Sequence, residues 1–221
     1  MPRPVRGLAD GFIYHILNRG NAKQVVFKKA QDYQVFVELM MEAKKRYSGI
    51  RLMAYCLMPN HFHLVLQPDQ GIHLSQWMHW LMTTHVRRYH QHHQTGGHLW
   101  QDRYKSFVIQ DDDHLLTVLR YVEGNPVRAG LVDFAEEWPW SSHRERVRGG
   151  RVLVDHTPVE LPSNWKTYVD EPLTAKELET VRLSVVRRSP FGEPAWCNKT
   201  ARELGLESTL KPRGRPRKHN R

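Results

Sequence analysis

Two histidines that flank one phenylalanine are the residues of this chain best suited to chemistry. His61, Phe62 and His63 follow Pro59-Asn60 and open an apolar run typical of a β-strand. Side chains alternate faces along a strand, so His61 and His63 leave the same face, with Cα atoms about 6.6 Å apart. Two imidazoles at this spacing can converge on one cation or one phosphate.

A single tyrosine could supply a nucleophile to such a site. Tyr121 lies about sixty residues further on, in a predicted helix, where it projects about 60° from Val118 at the edge of the apolar stripe. A histidine pair and a distant tyrosine are the groups needed to cut nucleic acid through a covalent phosphotyrosine. A free tyrosine has a pKa near 10, so its phenolate needs a metal or a nearby cation. Arg120 is adjacent but points elsewhere on a helix.

Asn125 has two interpretations. It lies four residues after Tyr121, on the same side of a helix, where its amide oxygen could be the third ligand of a metal. Pro126 disfavours helical geometry at the residue before it, so Asn125 could equally end the helix. Both alternatives stay open at this point.

The overall composition indicates a polyanionic partner. The 221 residues carry a net charge of +10 and a pI of about 9.8, which suits nucleic acid. Cys56 and Cys197 are the only cysteines, so we expect no disulfide framework and a reducing cytoplasm. Neither a membrane span nor a secretory signal is predicted.

The predicted elements follow the order βαββαβ. Strands are predicted over residues 12–18, 50–58, 61–67 and about 103–109, and helices over residues 32–47 and 74–90. This order predicts an α+β, ferredoxin-like fold, with an antiparallel sheet and both helices on one face. Asp111, Asp112 and Asp113 cap a third helix, which carries Tyr121.

Residues after 145 differ in composition from the preceding part of the chain. Residues 146–175 mix Arg, Gly and Pro with isolated apolar residues, and predict a linker with little regular structure. A short helix is predicted over residues 175–187. Residues 196–210 resemble half of a helix-turn-helix with Gly205 at the turn, and Pro212 excludes a full recognition helix.

Several basic and aromatic residues are candidates for DNA binding. Arg87, Arg88, Arg103 and Lys105 could contact phosphates, although a solvated basic face would look the same. Trp100 could stack on an unpaired base or belong to the core. The tail around Arg213, Arg215 and Arg217 resembles an AT-hook, which lies in the minor groove; the alternative is an unstructured tail that adds salt-sensitive affinity.

Two further groups of histidines have plainer interpretations. His90, His92, His93 and His98 resemble a metal-binding tract, but we interpret them as a solvated loop. His15, in the first strand, is expected to pack in the core or at most to stand behind the metal ligands.

Ordered motifs over about residues 10–145 resemble the single-strand transposases of the HUH superfamily. The motifs are Tyr14-His15-Ile16 through Arg19-Gly20-Asn21, Ala54-Tyr55-Cys56-Leu57-Met58-Pro59-Asn60-His61-Phe62-His63-Leu64, His98-Leu99-Trp100-Gln101-Asp102-Arg103-Tyr104, and Tyr121 through Asn125-Pro126-Val127-Arg128-Ala129-Gly130-Leu131-Val132. In detail the chain is most similar to REP-associated tyrosine transposases, a bacterial branch tied to repetitive extragenic palindromes. The resemblance implies a transposase and nuclease domain over residues 1–145, followed by the linker and a small helical segment with a basic tail over residues 176–221.

The resemblance also implies a mechanism. His61 and His63, with Asn125 by positional match, would hold Mg²⁺ or Mn²⁺ against the scissile phosphate, and imidazole ligands suit Mn²⁺ better. Tyr121 would attack phosphorus, leaving a 5′-phosphotyrosine and a free 3′-hydroxyl. The 3′-hydroxyl of a second strand could then reverse the attack and transfer the strand. The implied substrate is single-stranded DNA with a REP-type hairpin, bound by a monomer or homodimer in the bacterial nucleoid.

Two rival functions fit the same residues. One is a domesticated DNA-binding regulator that keeps the fold without cleavage. The other is a metal-dependent phosphoesterase that uses water instead of Tyr121.

Overall fold

Four strands form one antiparallel sheet in the order β2-β3-β1-β4. The computed structural model describes residues 8–149 and 153–211. The strands are β1 (Ile13–Arg19), β2 (Ile50–Met58), β3 (His61–Pro68) and β4 (Lys105–Ile109). Helix α1 (Ala30–Arg46) joins β1 to β2, and α2 (Gly71–His93) joins β3 to β4. The predicted ferredoxin-like βαββαβ fold is therefore confirmed.

Strand β3 lies between β2 and β1, so its side chains have strands on both sides. His63 pairs with Leu17 of β1 and with Cys56 of β2. The turn at Pro59 is held by the backbone N–H groups of Val26 and Phe27, which donate to the Pro59 carbonyl at 2.8 and 2.9 Å. The strand that carries the histidines is thus fixed along its length and at its start.

The face of the sheet that carries Phe62 and Leu64 is covered by α1 and α2. Both side chains are fully buried, and they pack with apolar side chains of the two helices. The helix residues buried here include Phe36, Leu39, Met40, Trp77, Met78 and Leu81. Among the described residues, this face forms the larger of the two cores.

Helix α3 (Asp113–Glu123) covers the opposite face, which carries His61 and His63. The Asp112 side chain caps it by accepting a hydrogen bond from the His114 backbone N–H at 2.9 Å. Its buried apolar residues are Leu115, Val118, Leu119 and Val122, as the helical spacing predicts. The helix ends at Gly124, and α4 (Asn125–Arg128) follows. The tyrosine-bearing helix and the histidines therefore share one face.

Residues 146–175, predicted to form a linker with little regular structure, include two helical segments among their described residues. Helix α5 (Ser142–Arg148) extends into this stretch and α6 (Trp165–Asp170) lies inside it. Trp165 and Val169 are buried against α3, because single bulky apolar residues anchor a segment whose remaining composition is polar. The division of the chain into domains stays a prediction.

A buried carboxylate joins α3 to these later helices. Glu123 accepts hydrogen bonds from Ser142 Oγ (2.5 Å), Arg146 Nε (2.9 Å) and Trp165 Nε1 (2.8 Å), and its Oε2 lies 3.1 Å from His143 Nδ1. Burial alone would raise the pKa of Glu123, but the hydrogen bond with His143 and the charge of Arg146 lower it to about 2. An ionised carboxylate therefore holds the C-terminal end of the tyrosine helix in place.

Residues 175–210 include three helices. The predicted helix over residues 175–187 is α7 (Ala175–Arg187), and α8 (Pro194–Glu203) and α9 (Glu207–Leu210) follow. Gly205 has a φ of +65° between α8 and α9, as expected at the turn of half a helix-turn-helix. Arg213, Arg215 and Arg217 lie outside the described residues, so the AT-hook interpretation stays a prediction. Among the residues that are described, no helix has both the length and the apolar character needed to cross a membrane.

Candidate active site

The two histidines of β3 converge at one end of a cleft. Their ring centroids are 5.0 Å apart, with the ring planes at 84°. His61 is half-buried, and its Nδ1 lies 2.7 Å from Asn60 Oδ1. His63 is only 3% exposed. Alternation along the strand thus brings both imidazoles to the same place, as the sequence predicts.

A third histidine stands behind His63. His15 Nε2 lies 2.8 Å from His63 Nδ1, and the two rings are stacked at 4.9 Å and 7°. His15 is fully buried in β1. His15 is thus both packed in the core and in contact with His63, and a role behind a metal ligand stays a prediction. Because the hydrogen bond occupies His63 Nδ1, it leaves Nε2 as the nitrogen available to a cation.

Burial keeps all three imidazoles neutral near neutral pH. It lowers the pKa of His15 to about 3, and burial together with the charges of Arg19 and Arg128 lowers the pKa of His61 to about 4. The pKa of His63 lies well below its ordinary value, first through burial and then through His15 and His61. A neutral imidazole has a free lone pair, so the donor chemistry of this pair fits a divalent metal.

Tyr121 lies beside these histidines in the same chain. Its ring centroid is 5.7 Å from that of His63 and 6.1 Å from that of His15, in edge-to-face arrangements. The side chain is 8% exposed and contributes to the cleft wall together with His61 and His63. The predicted nucleophile and the predicted ligands are therefore brought together.

Arg128 covers the ring of Tyr121. Its guanidinium carbon lies 4.2 Å from the ring centroid, and its Nη2 donates to the Tyr121 carbonyl (3.1 Å) and to Asn125 Oδ1 (2.8 Å). Burial lowers the pKa of Arg128, and Tyr121 opposes that shift. Arg120 is directed away, to the carbonyls of Glu171 and Pro172. Arg128 thus places a cation directly over the ring of Tyr121.

Asn125 starts a new helix after the break at Gly124, in agreement with the helix-stop interpretation. Its amide oxygen accepts from Arg128, and its buried Nδ2 has no hydrogen-bond partner among the described residues. A role for Asn125 as a metal ligand stays a prediction, and it would require Oδ1 to be shared with a guanidinium.

The cleft around these groups is basic and has a volume of about 670 Å³. Arg103 and Lys105, both predicted to bind DNA, lie in its wall, as do Arg19 and Arg182. Asp102 is the one acidic residue in that wall. A cleft with this charge suits a nucleic-acid backbone.

Residues 9–125 match the family described as "Transposase IS200 like". This match covers more than half of the chain. The chain belongs to the IS200-like transposase family.

A curated relative supports the same assignment. A curated Haemophilus influenzae protein described as a REP-associated tyrosine transposase is 31% identical over 105 residues, which are 42% of this chain and 59% of that protein. The chain therefore spans about three fifths of this curated relative. The predicted resemblance to REP-associated tyrosine transposases is confirmed.

One solved structure shows the fold of the IS200-like chain. A REP-associated tyrosine transposase bound to a REP hairpin matches with a TM-score of 0.52 and 19% identity, over 79% of this chain and 98% of that one. A transposase structure from Deinococcus radiodurans matches 56% of this chain and 96% of its own, with a TM-score of 0.39 and 21% identity. The first of these supports the HUH fold.

The other predicted DNA-binding residues of this transposase lie away from the histidines and Tyr121. Arg87 borders a second cleft, of about 450 Å³, that also includes Trp100 and Arg103. Arg88 lies 3.8 Å from Glu42 on the helical face. Trp100 is only 6% exposed and packs edge-on against Phe62 at 5.2 Å, so its core alternative is favoured over base stacking.

Sequence reasoning missed two functional candidates. Arg128 and Arg182 were not singled out, although Arg128 lies in the Asn125-Pro126-Val127-Arg128 motif, which was the available signal. His15 was placed in the right strand, but only the pairing of β1 with β3 reveals its contact with His63. The interpretation of His90, His92 and His93 as loop residues is wrong, because α2 continues through His93.

Proposed function

We propose that this chain cleaves and rejoins single-stranded DNA through a covalent bond to Tyr121. The observation that carries the proposal is the meeting of Tyr121, His61 and His63 in one basic cleft. Membership of the transposase family supports a DNA substrate. The hairpin in the related solved structure supports a REP-type hairpin as the element recognised.

His61 and His63 would hold Mg²⁺ or Mn²⁺, with Asn125 as the proposed third ligand. A bound ion would polarise a non-bridging phosphate oxygen and neutralise the charge that develops there. The neutral imidazoles of His61 and His63 can donate lone pairs to the ion without first losing a proton. His15 holds His63 with its Nε2 free, and the rigid position of β3 fixes the separation of the two rings.

Tyr121 would form the covalent link. Its phenol loses a proton, the phenolate oxygen bonds to phosphorus, and the bond from phosphorus to the 3′-oxygen breaks. The departing 3′-oxygen takes up a proton and becomes a free hydroxyl, while the 5′-phosphate stays on Tyr121. Arg128 stabilises the anionic phenolate by its position over the ring. Attack by another 3′-hydroxyl reverses these steps and joins two strands.

The basic residues of the cleft would bind the strand on either side of the scissile phosphate. Arg19, Arg103, Lys105 and Arg182 surround the histidines and Tyr121. They carry no information about sequence, since phosphate contacts position a strand without reading it. With such a substrate, we expect the protein to work on the nucleoid in the bacterial cytoplasm.

A labelled hairpin oligonucleotide tests the proposal. With Mn²⁺, a 3′-labelled strand should stay attached to the protein through denaturing electrophoresis, while a 5′-labelled strand should be released as a shorter fragment. Tyr121→Phe should abolish both products and still bind the hairpin, and EDTA should do the same.

The two rival functions give different results in this experiment. A regulator without cleavage would bind the hairpin and yield neither product. A phosphoesterase that uses water would keep cutting in Tyr121→Phe without any attached label. Either outcome would contradict the proposal.

A further inference from the structure

A second group of possible metal ligands lies away from the active site. One ligand atom each from Asp32, His92 and His93 can be chosen so that all lie within 4.8 Å of one another. In the described parts of the chain, this is the one group of three or more His, Cys, Asp or Glu side chains that meets this condition. It joins the first turn of α1 to the last turn of α2.

Asp32 is held in place before any metal binds. The residue is 7% exposed, and its Oδ2 accepts hydrogen bonds from the backbone N–H groups of Lys28 (2.8 Å) and Lys29 (3.0 Å). Burial would raise the pKa of Asp32, but these bonds and the one with His93 outweigh it and lower the pKa. An ionised carboxylate with one oxygen fixed leaves Oδ1 to face the histidines.

The two histidines approach this carboxylate from α2. His93 Nε2 lies 3.0 Å from Asp32 Oδ1, and the His93 ring packs on Tyr89 at a centroid distance of 4.3 Å. His92 lies next to it, with ring centroids 4.9 Å apart, and is exposed. His93 is therefore preplaced, while His92 is free to rotate towards a bound ion.

His85, which lines the same cavity, has a buried ring nitrogen without a hydrogen-bond partner among the described residues. His85, Asp32, His92 and His93 all line a small cavity of about 120 Å³. His85 is 3% exposed, and its Nδ1 has no hydrogen-bond partner in the described structure. Leaving such an atom unsatisfied is costly, and the cavity is large enough for an ion and a water molecule. A metal-bound water would supply the missing partner.

We propose that Asp32, His92 and His93 bind one Zn²⁺ ion, with water in the fourth position. Two imidazoles and one carboxylate suit Zn²⁺ better than Mg²⁺ or Ca²⁺, which prefer oxygen ligands. The ion replaces the hydrogen bond between Asp32 and His93. It ties α1 to α2 on the helical side of the sheet, opposite the face that carries His61 and His63, and stabilises the helical layer.

Zinc titration of a variant without the active-site pair tests this proposal. In full-length His61→Ala/His63→Ala protein, calorimetry should detect one equivalent of ZnCl₂, and Zn²⁺ should raise the melting temperature. Adding His92→Ala should weaken binding by at least about tenfold and remove the thermal shift. His98→Ala is the matched control, since this exposed histidine belongs to the same tract but not to the trio; it should change neither result.

X-ray absorption at the zinc edge provides the second readout. The parent should show two imidazoles and oxygen ligands at about 2.0–2.1 Å. Any of three results would overturn the proposal. Zinc affinity could fall equally in His92→Ala and His98→Ala, the folded parent could bind no zinc, or His92→Ala could bind zinc as tightly as the parent. If the parent does not fold, the wild-type protein replaces it, and His92→Ala should then bind one equivalent fewer than wild type. An unchanged equivalent count would overturn the proposal there too.

Discussion

The hydrogen bond between His15 and His63 selects the nitrogen that can bind a metal. For His63 Nε2 to carry a lone pair, His63 Nδ1 must donate and His15 Nε2 must accept. Neutral His15 then carries its proton on Nδ1, a buried atom with no hydrogen-bond partner in the described structure. In the proposed metal site, His15 would be a positioning residue and would keep one buried N–H group without a partner.

Replacing His15 should weaken metal binding without moving the ligands. His15→Phe keeps a ring that can pack on Phe107, but it cannot accept from His63, so the Mn²⁺ affinity should fall about 10- to 100-fold. His15→Gln places an acceptor in the same direction and should recover part of that loss. Calorimetric titration with Mn²⁺ measures both. Equal affinities for wild type and His15→Phe would show that the contact has no such role.

Arg128 should affect the reaction step more than DNA binding. Arg128→Met removes the cation over the Tyr121 ring, and an interaction of about 1–2 kcal/mol corresponds to a loss of about tenfold in rate. Covalent adduct formation at saturating DNA measures this rate. Arg103→Ala serves as the contrast, since it should raise the DNA concentration needed for half-saturation and leave the saturated rate nearly unchanged. The opposite pattern would reverse the two roles.

At the scale of elements, the strands were the most predictable part of the chain. Two apolar runs define β2 and β3, whose side chains are buried on both faces of the sheet, and the Pro59-Asn60 turn fixes their pairing. Residues 50–58 and 61–67 are therefore predicted almost to the residue. Helix α2 was predicted over residues 74–90 but spans Gly71–His93, because its last turn is made of histidines that carry no apolar signal.

Contacts between distant elements explain what the sequence could not predict. The stacking of Arg128 on Tyr121 depends on the helix break at Gly124, and the burial of Trp165 depends on a carboxylate many residues earlier. Neither leaves a periodic pattern. The same holds for Arg182, which enters the cleft only because α7 packs beside β4 and α3.

The Glu123 network should be the strongest polar contribution to the stability of this region. Glu123→Gln leaves Arg146 without its charged partner. It also removes one of the two oxygen acceptors of a carboxylate that four hydrogen-bonding groups contact. We expect a loss of about 3–5 kcal/mol in the free energy of unfolding. Urea denaturation followed by circular dichroism measures it. Glu171→Gln is the matched control, because that exposed carboxylate lies 3.8 Å from Arg120 and should contribute less than about 1 kcal/mol.

At the scale of the whole molecule, buried histidines should make stability depend on pH. Burial lowers the pKa to about 3 for His15 and His85 and to about 4 for His61, and His63 is also lowered. In the unfolded chain they titrate near 6.5. The unfolded state therefore binds more protons between about pH 6.5 and 4, and stability is present above this window and is lost as the pH falls through it.

Urea denaturation at pH 7, 6 and 5 in the presence of EDTA measures this dependence. Each histidine contributes at most about 1.4 kcal/mol per pH unit inside the window. The free energy of unfolding should therefore drop steeply below pH 6.5, and His85→Phe should make the decrease shallower. A free energy that is constant from pH 7 to 5 would contradict the neutral, buried state of these histidines.

The active site should be complete within one chain. Tyr121 and His63 belong to the same protomer, with ring centroids 5.7 Å apart. A mixture of Tyr121→Phe and His61→Ala/His63→Ala proteins should therefore form no covalent adduct on hairpin DNA. Adduct formation by the mixture, at a level well above either variant alone, would mean that two chains exchange their tyrosine helices.

The most direct test of the central claim is to find the atom that carries the DNA. After incubation of the wild-type protein with hairpin DNA and Mn²⁺, nuclease trimming and trypsin digestion, mass spectrometry should locate a nucleotide phosphate on Tyr121. The account predicts this modification within the peptide that contains Tyr121-Val122-Glu123-Gly124-Asn125-Pro126-Val127-Arg128. A nucleotide on a different tyrosine, or cleaved DNA with no modified tyrosine, would contradict it.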